Sequence, residues 1–190
     1  MGRLLIGFMG LWLVTFSAAN VIPAIHPDLK VLAQQAKTPR LIAINERIYQ
    51  AFAYDFSNIY FIEGDDGIIV IDSSWSADAA VKALADFRKI SQKPLVALIY
   101  THGHGDHLGG ARALLEQAQG QPVAVYAQAD WHLYRHLNNT VLAPHVKMRA
   151  TAQLGALLPD GEHGRANIGA GKMQINRVEI DYVEPTHTIQ

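Results

Sequence analysis

Four side chains that can bind a metal ion lie within six consecutive residues: His102, His104, Asp106 and His107. Imidazole and carboxylate groups together suit zinc and similar divalent ions. The small residues between them allow a tight loop, so that His102 and His104 can converge on one ion while Asp106 and His107 face a second. Two neighbouring metal ions lower the pKa of a shared water and stabilise charge on the entering and leaving groups. The pattern favours a two-metal hydrolytic site over the alternative, a histidine-rich surface loop without metal.

The elements around this cluster are those that a metal loop needs. Residues 95–100 form an apolar run that predicts a buried strand, and this strand leads directly into His102. Residues 108–117 follow the cluster with helical spacing. An earlier apolar run, 68–71, ends at Asp72, and a carboxylate in that position can hold a ligand histidine in one tautomer.

Alternating strand and helix patterns extend over the rest of the chain. The Gly/Asp-rich segment 63–67 predicts a hairpin turn, and the fully apolar run 68–71 is typical of a strand buried on both faces. This alternation indicates an α/β layered fold. The predicted strands are 41–44, 48–52, 58–62, 68–71, 95–100, 123–126, 172–176 and 178–183, and the predicted helices are a short one within 25–40 and longer ones at 74–90, 108–117 and 128–137.

Composition narrows the class of protein. The 190 residues are 49% hydrophobic with a formal net charge of −1, which suits one globular domain and argues against a nucleic-acid partner. The absence of cysteine excludes disulfide scaffolds, zinc fingers and cysteine nucleophiles.

The first residues have the pattern of a secretory signal. Arg3 precedes an apolar stretch over 4–16, and small residues at 17–19 predict cleavage after Ala19. We therefore expect a signal peptide at 1–19, an N-terminal arm at 20–40 and the domain at 41–190, in a periplasmic or secreted protein. No stretch of the sequence is apolar for long enough to predict a stable membrane span.

The cluster resembles the signature of the metallo-β-lactamase superfamily, His-x-His-x-Asp-His after a buried strand. Within that superfamily the sequence is most similar to the secreted alkyl sulfatases. The stretches that carry this resemblance are 26–29, 58–72, 99–102, 149–150, 155–159 and 185–189.

The resemblance implies an αββα sandwich and a zinc-dependent hydrolase in which metal-activated water cleaves the sulfate ester of an alkyl chain. It implies two zinc ions, the first bound by His102 and His104 and the second by Asp106 and His107. Asp106 is also the candidate catalytic residue. The expected partner is a small-molecule ester, with an alkyl sulfate as the first candidate, and a homodimer stays open.

The sequence also departs from the family. Further metal ligands of the family lie downstream of the stretch 185–189, and the sequence in hand ends at Gln190. We therefore expect the N-terminal half of the sandwich plus part of the following segment. Leu154 stands where the family usually has a tyrosine. The alternatives are a hydrolase of the same fold acting on a β-lactam, thioester or phosphoester, and a truncated, catalytically inactive remnant.

The remaining candidates are weaker. His187 could complete the first zinc site, but its surroundings match a family stretch that does not bind metal. The other histidines are predicted to lie on the surface: His132 and His136 on one helix face, His145 and His163 in irregular sequence. The glycine-rich stretch 161–171 does not predict a phosphate-binding loop. Within it, Arg165 is a candidate for contact with an anionic head group.

Overall fold

A computed structural model describes residues 26–155, 157–159, 161, 164 and 181–190. These residues form seven strands and six helices, named here in chain order. The strands are β1 (Arg40–Ala43), β2 (Ile48–Phe52), β3 (Ile59–Glu63), β4 (Ile68–Ile71), β5 (Leu95–Ile99), β6 (Ala124–Gln128) and β7 (His187–Ile189). The helices are α1 (Pro27–Gln35), α2 (Ala77–Phe87), α3 (Gly105–Leu108), α4 (Ala111–Glu116), α5 (Trp131–Asn139) and α6 (Ala143–Gln153).

The strands form one mixed sheet in the order β1-β2-β3-β4-β5-β6-β7. The pairs β1–β2, β2–β3 and β3–β4 are antiparallel. The pairs β4–β5, β5–β6 and β6–β7 are parallel. A parallel pair requires a crossover connection, and α2 supplies it between β4 and β5. The predicted hairpin between β3 and β4 is confirmed, with Ile62 opposite Ile69.

The core lies between one face of the sheet and the helices α2 and α4. Phe61 from β3 and Phe87 from α2 are fully buried and stack with their ring centroids 4.6 Å apart. Stacked aromatic pairs contribute about 0.5–1.5 kcal/mol beyond the area they bury. Among the described residues, α2 and α4 thus form a helix layer on one face of the sheet, which agrees with the predicted α/β class and half sandwich.

The burial of β4 differs from the prediction. Ile68 and Val70 are fully buried, but Ile69 and Ile71, which point to the other side of the sheet, are only half-buried. The reason is that α2 and α4 pack against the face that carries Val70. Burial on both faces is therefore wrong for β4 in the described part of the chain.

Two predicted helices have different bounds. The helix predicted at 74–90 begins only at Ala77, because Ser76 caps it and Ser74 adopts a φ of +69°, which is not helical. The helix predicted at 108–117 is observed as α4, which begins only at Ala111. Gly109 and Gly110 separate it from α3, a short helix that was not predicted; Asp106 and His107, which we expected on a loop, lie on α3.

Two further elements were not predicted. The helix α6 spans sequence that we expected to be irregular, and it has no buried residue. The strand β7 pairs with β6, and Tyr126 lies opposite His187. Residues 181–183, at the end of the strand predicted at 178–183, are not in a strand.

Several predictions fall outside the described residues. They concern the signal peptide at 1–19, the strand at 172–176, His163 and Arg165. In the part of the chain that is described, no helix combines the length and apolar character needed to cross a membrane.

Candidate metal centre

The parallel pairing of β4 and β5 brings the two predicted parts of the site together. Ile71 lies opposite Ile99, so the residues that follow each strand meet at the same edge of the sheet. The backbone amide of Asp72 donates to the carbonyl of Ile99 at 2.9 Å. Asp72 therefore lies beside the start of the loop that carries His102, as the sequence predicts.

The Asp72 carboxylate binds both ends of this loop. It accepts hydrogen bonds from the backbone amide of Thr101 at 2.9 Å and from its hydroxyl at 2.8 Å. It also lies 2.7 Å from Nδ1 of His107. Asp72 is 4% exposed, so these contacts are largely shielded from water. A carboxylate on Nδ1 directs Nε2 of the same ring outward, as in metal-binding histidines.

His107 lies between two carboxylates. Its Nδ1 contacts Asp72, and its Nε2 lies 3.2 Å from Oδ2 of Asp106. Burial by itself lowers the pKa of His107, but the hydrogen bonds and negative charges of Asp106 and Asp72 outweigh burial and raise this pKa to about 9. Burial alone would raise the pKa of Asp106, whereas the hydrogen bond and charge of His107 lower it. Without metal, both ring nitrogens of His107 are therefore protonated at neutral pH and the ring is positively charged.

His102 and His104 form a second pair. Nε2 of His102 lies 2.9 Å from Nδ1 of His104, and the ring of His102 lies 4.1 Å, centroid to centroid, from that of His107. Burial lowers the pKa of His102, and the neighbouring His107 and His104 lower it further. His102 is therefore neutral at neutral pH, which is the form that binds metal.

Gly103 allows the histidine loop to pack closely against α5. A Cβ atom at this position would lie 2.4 Å from the carbonyl oxygen of Trp131, the first residue of α5. Only glycine allows this approach. The loop is thus packed against α5 on one side and tied to Asp72 on the other.

The donor set fits zinc in its chemistry, since it combines imidazole nitrogens with a carboxylate. The nitrogens of His102 and His104 lie 2.9 Å apart, at hydrogen-bond distance, whereas two nitrogen ligands of one tetrahedral zinc ion are roughly 3.3 Å apart. The division of these four residues between two ions stays a prediction. Across the described residues, however, no group of three or more such side chains is arranged to hold one ion.

His187, His132, His136 and His145 lie on other elements. His187 stacks on Tyr126 with centroids 4.8 Å apart, on a strand that β6 separates from β5. His132 and His136 are exposed on α5, as predicted. His145 is also exposed, but it lies on α6 and not in irregular structure.

Sequence reasoning missed residues that hold the backbone of the site. The hydroxyl of Ser57 donates to the carbonyl of Asp106, and the amide and hydroxyl of Ser73 donate to the carbonyl of His107 at 2.9 and 3.0 Å. Asp55, 1% exposed, accepts hydrogen bonds from Ser74 and Ser76. No spacing rule distinguishes these short polar residues from ordinary turn residues.

The chain is similar to known proteins over most of its length. Residues 54–189 match the family model of the metallo-beta-lactamase superfamily. A linear primary-alkylsulfatase from Pseudomonas sp. is 34% identical over 77% of this chain and 22% of its own length. An alkyl/aryl-sulfatase from Saccharomyces cerevisiae is 30% identical over 87% of this chain and 26% of its own.

A solved structure shows the same relationship. The stereoselective inverting sec-alkylsulfatase from Pseudomonas sp. superimposes with a TM-score of 0.71 at 29% identity, over 86% of this chain and 26% of that one. The chain thus spans about a quarter of the length of these relatives. The mixed sheet, the His-x-His-x-Asp-His loop after β5 and the match over 54–189 together show that the chain belongs to the metallo-beta-lactamase superfamily.

Proposed function

We propose that this chain supplies part of the active site of a zinc-dependent hydrolase that cleaves the sulfate ester of an alkyl chain. The observation that carries the proposal is the pairing of four donor side chains at the end of β5, with His107 held by Asp72 at 2.7 Å. The similarity to alkylsulfatases supports the choice of substrate. We further propose that the protein is exported, does not bind nucleic acid and forms a homodimer.

The donor atoms divide into two zinc sites. His102 and His104 would hold one ion, and Asp106 and His107 would hold the other. When bound, zinc supplies Lewis acidity and lowers the pKa of coordinated water. Catalytic zinc sites use three protein ligands, so each pair calls for one more donor.

The side chains of this chain have distinct tasks. Asp72 orients the His107 ring and keeps Nδ1 occupied, so that Nε2 is the atom left for metal. Thr101 contacts Nδ1 of His102 through its hydroxyl at 3.0 Å and thereby selects the orientation of that ring. Asp106, the candidate catalytic residue, is buried and carries a negative charge that attracts the ions.

A second candidate function follows from the pairwise arrangement. Since no three described donors converge, the chain on its own is also a candidate for weak metal binding without turnover. The hydrolase, in contrast, requires that dimerisation supplies the missing ligands.

Zinc content and sulfate release separate these functions. We expect the purified chain to bind about two zinc ions, by elemental mass spectrometry, and to release inorganic sulfate from octyl sulfate. His102→Ala should lose metal and turnover, whereas His132→Ala, an exposed histidine on α5, should keep both. Zinc binding without sulfate release would support the second function. Turnover of a chromogenic cephalosporin, a thioester or a phosphoester instead of octyl sulfate would contradict the proposed substrate.

A further inference from the structure

We propose that Asp55 is a positioning residue for the metal centre, acting through the turn formed by residues 73–76. Asp55 touches none of the four donor side chains in the described contacts. It accepts hydrogen bonds from this turn, and the turn is hydrogen-bonded to the backbone at the end of α3. The helix α3 contains Asp106 and His107. Only the consequence for zinc affinity rests on the proposed function.

The first step is the attachment of the turn to Asp55. One carboxylate oxygen accepts three hydrogen bonds, from the Ser74 hydroxyl at 2.8 Å, the Ser76 amide at 2.9 Å and the Ser76 hydroxyl at 3.0 Å. The other oxygen accepts from the backbone amide of Phe56 at 2.8 Å. Asp55 is 1% exposed, so water cannot replace it as the acceptor for these groups.

Hydrogen bonds connect the turn to the end of α3. The carbonyl of His107 accepts from the amide and the hydroxyl of Ser73, and the carbonyl of Ser74 accepts from the amide of Gly109 at 3.0 Å. Ser57, two residues after Asp55, donates its hydroxyl to the carbonyl of Asp106. Both sides of α3 are thus attached to groups that Asp55 holds or adjoins.

The third step is the conformation of the turn itself. Asp72 and Ser74 adopt φ values of +61° and +69°, in the left-handed region that residues with a side chain rarely occupy. Such conformations persist only where the surroundings hold them. The Asp55 carboxylate accepts hydrogen bonds from the Ser74 hydroxyl and the Ser76 amide, and these bonds oppose relaxation of the turn.

The contact that depends on both the turn and α3 is the one between Asp72 and His107. The turn directly follows Asp72, whose carboxylate lies 2.7 Å from His107, and Ser73 of the turn donates to the carbonyl of His107. Relaxation of the turn would therefore move the carboxylate and the imidazole relative to each other. The distance between Asp72 and His107 is the quantity that Asp55 controls.

The experiment measures that contact directly in the metal-free 190-residue chain. The hydrogen bond to Asp72 shifts the Nδ1 proton of His107 downfield and protects it from exchange, so ¹H–¹⁵N NMR of the histidine rings reports the contact. We would compare the wild type with Asp55→Ala and Asp55→Asn. The matched control is Phe61→Leu, a core substitution in β3 that destabilises the fold and leaves the turn intact. Zinc affinity is then measured by competition with a chromophoric chelator, well below each thermal midpoint.

We expect Asp55→Ala to lose or shift the His107 resonance and to bind zinc 10–100-fold more weakly, with Asp55→Asn intermediate. Phe61→Leu should lower the thermal midpoint while the resonance and the zinc affinity stay unchanged. If Asp55→Ala does not fold, Ser74→Gly replaces it, because glycine tolerates the φ of +69° and removes one bond to Asp55.

The proposal is overturned if a folded Asp55 or Ser74 variant keeps the wild-type His107 resonance and an affinity within twofold of wild type. Asp55 would then stabilise the fold alone. If the wild type itself binds no zinc, the proposed function fails, but the NMR comparison still decides the role of Asp55.

Discussion

Gly109 approaches the carbonyl oxygen of Trp75 so closely that a Cβ atom on the glycine would lie 2.0 Å from it. The same glycine donates its amide to the carbonyl of Ser74 at 3.0 Å. The end of α3 is thus pressed against the turn after β4, and any larger residue must separate them. This contact makes α3 a rigid support for Asp106 and His107.

Gly109→Ala should therefore destabilise the fold. The obstructing atoms are backbone and cannot rotate away, so we expect a loss of about 1–3 kcal/mol or more in the free energy of unfolding. Urea denaturation followed by circular dichroism measures it. Gly120→Ala is the control, since its Cβ meets nothing within 4 Å and costs only the strain of its φ of +83°, about 1 kcal/mol. Equal losses in the two variants would contradict the close contact.

Asp72→Asn should weaken zinc binding more than it weakens the fold. The asparagine keeps the size of the side chain but loses the charge that orients His107, which typically reduces metal affinity 10–100-fold. Competition with a chromophoric chelator measures this affinity. Asp65→Asn removes an exposed carboxylate that pairs with Arg47 at 2.7 Å and should leave the affinity unchanged. An unaltered affinity in Asp72→Asn would show that the contact with His107 does not serve the metal.

Zinc affinity should rise with pH. The pKa of His107 is raised to about 9, so at pH 7 the metal-free ring is protonated and must release that proton to bind zinc. Between pH 7 and about 9 the apparent affinity should increase about tenfold per pH unit and then level off. Calorimetry in two buffers of different ionisation enthalpy counts the released proton. Release of no proton at pH 7 would contradict the raised pKa.

Tyr100→Phe should loosen the attachment of the segment 181–190. The Tyr100 hydroxyl donates to the carbonyl of Val183 at 2.9 Å and accepts from the Val183 amide at 3.3 Å. A loss of about 1 kcal/mol or more with these bonds corresponds to at least roughly fivefold faster amide exchange in β7, which hydrogen-exchange mass spectrometry detects. Tyr54→Phe removes a comparable bond to Asp86, of 2.7 Å, at a distant position and should leave β7 unaffected. Unchanged exchange in Tyr100→Phe would show that other contacts hold the segment.

The sequence was sufficient where local pattern and tertiary structure agree. The bounds of β2 and β4 were predicted correctly, because both segments are rich in β-branched and aromatic residues. The position of Asp72 beside the loop of His102 was also predicted, because parallel strands place their carboxyl ends at one edge. These features depend on short stretches of sequence.

The missed features depend on contacts between distant stretches. Gly109 lies between α3 and α4 and approaches the carbonyl oxygen of Trp75, a contact that the helical spacing of 108–117 does not predict. Asp55 resembles any acidic turn residue until the fold buries it. The helix α6 buries no face, so its sequence lacks the amphipathic period on which prediction relies.

The switch from antiparallel to parallel pairing at β4 has a consequence for the order of folding. The strands β1 to β4 are joined by short connections and can pair locally, whereas Asp72 reaches Thr101 and His107 across 29 and 35 residues. Contacts between such distant residues form slowly, because closing the long loop costs entropy before any contact repays it. We therefore expect the antiparallel half of the sheet to form first. We expect the histidine loop to fold last, so that metal ions bind after most of the fold has formed.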